Sequence, residues 1–156
     1  MNQEIKTILQ NLQTVTNGEP WYGRSIYDIL EEVDPEQVDI KPGNSGHSLL
    51  ELLYHMLTWM EFTIKRLEES KEMDDVETDK LDWRIIDPKK HTWEKGMAAF
   101  RKANEEIENL LGKKNDSFLD KKVDFRRYDF RFLLNGLIQH NIYHLGQITY
   151  INKYLV

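Results

Sequence analysis

Apolar positions along the chain recur at spacings of three and four, and alternating β-branched runs are scarce. That periodicity predicts helices from end to end. A first helix is predicted over residues 2–16, with Ile5, Ile8, Leu9, Leu12 and Val15 on one face and Asn17-Gly18 as its stop. After the passage GEPWYGRS, the segment SIYDILEEV reads as a short helix ended before Asp34-Pro35, and DIKPGNSG is turn chemistry. A second long helix is predicted from Ser48 to about residue 70. Its start, SLLE, fits a capping box in which Ser48 and Glu51 reciprocally satisfy orphan backbone donors. The acidic connector KEMDDVETDKLDWRIID follows. A third long helix is predicted from near Asp87-Pro88, with aspartate as cap and proline in the first turn, to Gly112. The charged loop KKNDSFLDKKVDFRRYD then leads to a fourth helix over roughly residues 129–155. No repeat, low-complexity tract or linker interrupts the chain, so a single all-α domain over 1–156 is expected, built as a four-helix bundle with one short extra helix between the first two long ones. The connector between the second and third long helices, about 17 residues, could reach over 50 Å if extended. A 24-residue helix is only about 36 Å long. A crossover that makes these two helices parallel is therefore permitted.

At 100° per residue, Leu133, Leu137, His140, His144, Gln147 and Ile151 fall on one stripe of the fourth helix. The two histidines lie at its centre. A second face carries Leu134, Ile138, Ile142 and Leu145, so this helix either contacts several neighbours or supplies a homodimer interface. In the second long helix, Leu52, His55, Met56, Trp59 and Thr63 share a face. Three imidazoles are thus aimed at one core. A buried polar group without a partner costs about 1–3 kcal/mol, so the three need a common explanation. One is a divalent metal: histidines four apart present both rings to one ion, and a third from a facing helix completes a three-nitrogen cap with open positions. The other is ordinary hydrogen bonding inside a core. Spacing alone does not separate the two.

Composition narrows the field. The 156 residues carry a net charge of −6, which argues against nucleic acid or an anionic membrane as partner. There is no cysteine, so disulfides, thiolate ligands and a cysteine nucleophile are excluded; thiol chemistry would need a thiol from outside the chain. The N-terminal stretch MNQEIKTILQNLQTV lacks a basic segment and a long apolar run, so no signal peptide is expected and a cytoplasmic location is. Other polar candidates have plainer readings. Gln147, one turn beyond His144, could orient a ligand or a water, or simply pack. Glu51, one turn before His55, could support the site, although its capping role already accounts for it. Trp59 could line a pocket or fill core. His47 precedes the cap, and His91 is expected on the surface. The run from Lys113 to Arg131 could guide an anionic substrate, but reads better as a solvated loop.

The segment HNIYHLGQI resembles the HxxxHxGQ signature in the last helix of the DinB/YfiT-like superfamily. WYGRSIYDIL resembles that family's early W-x-G-x-S-[IL] segment, and HSLLELLYHMLTWM its H-S-[IL]-x-x-L-x-x-H-[ML] stretch, whose second histidine is His55. The resemblance covers most of the chain, in order and spacing. It implies a four-helix bundle of up-down-down-up topology and a divalent metal, zinc or nickel most often, held by the residues that match here as His55, His140 and His144. It also implies a small-molecule substrate and transferase chemistry with a low-molecular-weight thiol such as bacillithiol or mycothiol. A metal-dependent hydrolase, or a non-catalytic metal-binding or stress-response bundle, stays open beside it. No residue is identified as a catalytic base.

Overall fold

The computed structural model describes residues 2–43 and 46–155. The turn expected over DIKPGNSG falls in part on residues 44–45, outside the described residues. The helices are α1 (Gln3–Asn17), α2 (Ile26–Glu31), α3 (Leu49–Leu67), α4 (Asp75–Asp82), α5 (Trp93–Gly112) and α6 (Phe130–Leu155), with a 3₁₀ turn over Asp116–Asp120. The described residues form no strand beyond an isolated bridge between Lys122 and Asp129. The fold is an all-helical bundle. The long helices α1 and α3 each pack on both α5 and α6, and α4 lies against α3. No helix among the described residues is long and apolar enough to cross a membrane.

Local chemistry explains where the helices begin. The Ser48 hydroxyl accepts the Glu51 N–H at 3.2 Å while the Glu51 carboxylate accepts the Ser48 N–H at 2.9 Å, the reciprocal pair anticipated for α3. Ser25 and Asp28 repeat it at α2. Helix α1 has no side-chain cap of its own. Its free donors, the N–H groups of Glu4 and Ile5, are taken at 3.1 and 3.0 Å by Asp116 of the 3₁₀ turn. Those backbone bonds hold the Asp116 carboxyl below the usual carboxylate range.

Three expectations are corrected. The third long helix starts at Trp93, not at Asp87-Pro88. Asp87 instead closes a turn: its carbonyl accepts the N–H groups of Lys90 and His91 at 2.9 and 2.7 Å, and Thr92 caps α5 by accepting from Lys95. His91 is half-buried rather than exposed, because its Nδ1 accepts the Asp87 N–H at 2.9 Å and its ring lies against Tyr54. The acidic connector contains α4, which hydrophobic patterning misses because Thr78 is its only buried residue. Asp74 caps it, accepting the Glu77 N–H at 2.9 Å.

Helix α3 is the centre of the core; Leu49, Leu53, Met56, Met60 and Phe62 are fully buried. Its contact with α5 is close at Gly96, where a Cβ would sit 2.8 Å from the Leu53 side chain. On the second apolar face of α6, Leu134, Ile138 and Leu145 are buried and Ile142 is partly buried, and α1 and α2 both pack on this helix. The opposite face of α6 is turned to α3, and this apposition brings the histidines together.

Candidate metal centre

His55 comes from the middle of α3, and His140 and His144 from adjacent turns of α6. Their ring nitrogens converge. His55 Nε2 lies 3.0 Å from His144 Nε2 and 3.0 Å from His140 Nε2. The candidate donor atoms of all three lie within 4.8 Å of one another. His55 and His144 are each only 6% exposed, and His140 is half-buried.

The far side of each ring decides what those nitrogens present. His55 Nδ1 faces the Asp82 carboxylate at 2.9 Å and the Asp82 carbonyl at 3.2 Å. Both are acceptors only, so Nδ1 carries the hydrogen and Nε2 offers a lone pair. His144 Nδ1 faces Gln147 Oε1 at 2.6 Å, and the same logic leaves its Nε2 a lone pair. Two lone pairs therefore face each other across 3.0 Å with no proton between them. The His140 Nδ1 is buried and has no hydrogen-bond partner among the described residues.

Protonating a ring could relieve this conflict, but burial opposes it. Desolvation pushes the His55 imidazole below its ordinary value, partly offset by Asp82. It does the same at His144, partly offset by Gln147. His140 is pushed down to about 3 by burial and by the two neighbouring imidazoles. The cluster is three neutral rings. A divalent ion fits this donor set: nitrogens that share one ion at about 2.0–2.1 Å are themselves about 3 Å apart.

The surroundings hold the rings in place. Asp82, the last residue of α4, accepts the Trp59 indole N–H at 2.7 Å on the same Oδ1 that faces His55. Trp83 stacks on His55 at 3.8 Å between centroids and, on its other face, on His47 at 3.7 Å. The end of α4 is pinned to α3 by the Thr58 hydroxyl, which donates to Leu81 O at 2.9 Å. Glu51 caps α3, accepts Lys41 Nζ at 2.7 Å and reaches His47 at 3.7 Å; its partners lie outside the three-histidine cluster. In the charged run from Lys113 to Arg131, several cations pair on the surface: Arg131 with Glu4 and Asp120, Lys121 with Glu69, and Arg126 with Asp75.

Sequence reasoning missed Asp82 and Trp83. Both sit in the connector among many acidic residues, and no local feature distinguishes Asp82 from Asp74, Asp75 or Asp79. Their role exists only because α4 docks on α3.

No curated protein matches the chain. The sequence model of the DinB family does match it, over residues 1–153. With that match spanning nearly the whole chain, and an all-helical bundle that carries the histidine cluster, the protein belongs to the DinB family.

Proposed function

We propose that this protein is a metal-dependent enzyme of thiol S-transferase type, with His55, His140 and His144 holding one divalent ion, zinc or nickel, and a low-molecular-weight thiol as cosubstrate. One observation carries the metal: the Nε2 lone pairs of His55 and His144 face each other at 3.0 Å, with their Nδ1 hydrogens committed to Asp82 and Gln147. Bound there, a divalent ion keeps its full charge among three neutral imidazoles and acts as a Lewis acid toward a thiol or a water.

The chain's own part is to hold and orient. Asp82 and Gln147 fix the tautomers of two rings, and a carboxylate behind a ligating imidazole raises its basicity. Trp83 and His47 cover His55 on one side. Three protein nitrogens leave room for exogenous ligands, as in catalytic sites and unlike closed structural ones. The chain has no cysteine, so the sulfur must come from a second small molecule. Among the described residues, Asp82 is engaged by His55 and Trp59, and the further imidazole nearby, His47, stands behind Trp83 with its Nδ1 turned toward Glu51. With no free base against the three rings, a thiol would suit the site better than a water, because its free pKa of about 8.5 lies far below that of water and its proton could pass to solvent.

The test is metal analysis of purified protein, followed by conjugation assays with a panel of cellular thiols and electrophiles. The expected result is one ion per chain and activity that vanishes in His55→Ala. Ester or amide hydrolysis without thiol dependence would replace the transferase reading with the hydrolase one. A protein that resists metal loading would end both.

A further inference from the structure

A second feature adjoins the cluster on the α6 side. His140, the most exposed of the three histidines, forms one end of a cavity of about 200 Å³ between α3 and α6. Its other walls include Trp59, Thr63, Tyr128, Phe132, Gly136 and Leu137, and the Thr63 hydroxyl is spent on the Trp59 carbonyl at 2.8 Å. Apart from the His140 imidazole, the Thr63 hydroxyl and the edges of Trp59 and Tyr128, these walls are apolar. Trp59 meets the His140 ring edge-on at 6.2 Å, and its indole N–H is already spent on Asp82, so it offers the cavity only its hydrocarbon surface.

Two features of this region bear on what the cavity holds. Gly136 lies inside α6, where glycine is among the worst helix formers, yet a Cβ there would meet nothing within 4 Å. Packing does not require the glycine; its missing side chain leaves this wall of the cavity open. Phe132 is 65% exposed, its ring set against Tyr128 at 5.0 Å along the cavity's outer edge. A singly exposed ring is ordinary, but this one lines the apolar hollow and extends it into one contiguous patch, the kind of surface that marks a ligand site.

We propose that this cavity seats a single-ring, apolar group of the substrate, aromatic by preference, and presents the rest of that molecule to the three-histidine centre past His140. Size sets the class: an apolar cavity of about 150 Å³ takes benzene, so the space here holds one ring with a small substituent. The aromatic walls supply the preference through edge and face contacts. The assignment of this ligand as a substrate rests on the metal-enzyme reading above; the presence of a ligand site does not.

The experiment uses zinc-treated full-length protein and benzyl alcohol as the probe, followed by amide and indole resonances in two-dimensional NMR. Zinc stoichiometry is measured on the same samples. The expected result is saturable movement of the Gly136 amide and the Trp59 indole N–H at millimolar probe. Gly136→Leu fills the cavity and abolishes that movement, with zinc stoichiometry unchanged. Phe132→Ala, a change at an exposed position, weakens binding several-fold. Unmoved resonances in the wild type, or undiminished binding in Gly136→Leu, overturn the proposal. Protein that takes the probe at Gly136 but no zinc keeps the ligand site and refutes the metal reading. Protein that takes zinc while neither resonance moves does the reverse.

Discussion

Replacing Asp82 by asparagine tests the electrostatic support of the centre with almost no change in shape. Asp82 Oδ1 accepts from both His55 Nδ1, at 2.9 Å, and Trp59 Nε1, at 2.7 Å. An amide oxygen can still accept from either donor, but without the charge that raises the basicity of the His55 ring. Loss of such a partner typically costs 10- to 100-fold in metal affinity. Two features place the effect in the lower part of that range. The side chain is 26% exposed, so its field is partly screened, and the Asp82 carbonyl, 3.2 Å from Nδ1, still fixes the tautomer. We therefore expect zinc affinity to fall about 10- to 30-fold, or about 1.4–2 kcal/mol. Asp82 also favours the proton on His55, so the comparison belongs near pH 7.5, where this depressed imidazole is neutral in both proteins. The assay is competition against a chelator of known affinity, with helix content checked by circular dichroism. An affinity within about twofold of wild type, in a folded protein, would refute the claim that Asp82 tunes the centre through His55.

Four further outcomes follow from the structure. His144→Ala removes one of the two facing lone pairs, and metal analysis should find less than one ion per chain, with the helical spectrum retained. In the metal-free protein, unfolded histidines take up protons near pH 6.5, whereas folded His140 resists to about 3. Its folded value is depressed, so the contribution to stability is complete above about pH 6.5 and is lost as pH falls toward 3. Thermal melts should show this loss, and His140→Leu should reduce it; identical pH profiles would count against it. Gly96→Ala must crowd a Cβ to 2.8 Å from Leu53 and should destabilise by about 1 kcal/mol, overpacking outweighing the gain in helix propensity. Gly136→Ala meets no neighbour and should stabilise by about 0.5–1 kcal/mol, which denaturant melts of the two variants would distinguish.

Much of this molecule is written locally. The starts of α2 and α3 follow from Ser25-Asp28 and Ser48-Glu51, because a cap needs only residues within one turn. The stripe holding His140 and His144 follows from helical periodicity, and the pairing of Gln147 with His144 needs only the next turn of the same helix. The start of α5 was not legible, because Asp87 and Thr92 are both competent caps and the turn closed on Asp87 decides between them. Helix α4 was not legible either, since eight largely polar residues carry no apolar stripe.

The sequence by itself thus determined the four long helices in outline, the short α2, their inward faces and three histidines aimed at one core, since each depends on residues within a few positions of one another. Only the tertiary structure decided that the three ring nitrogens meet, that Asp82 and Trp83 stand behind His55, and that Gly136 opens a cavity beside His140. Those relations link residues tens of positions apart, and their distances come from how α4 and α6 pack against α3, which no local pattern encodes.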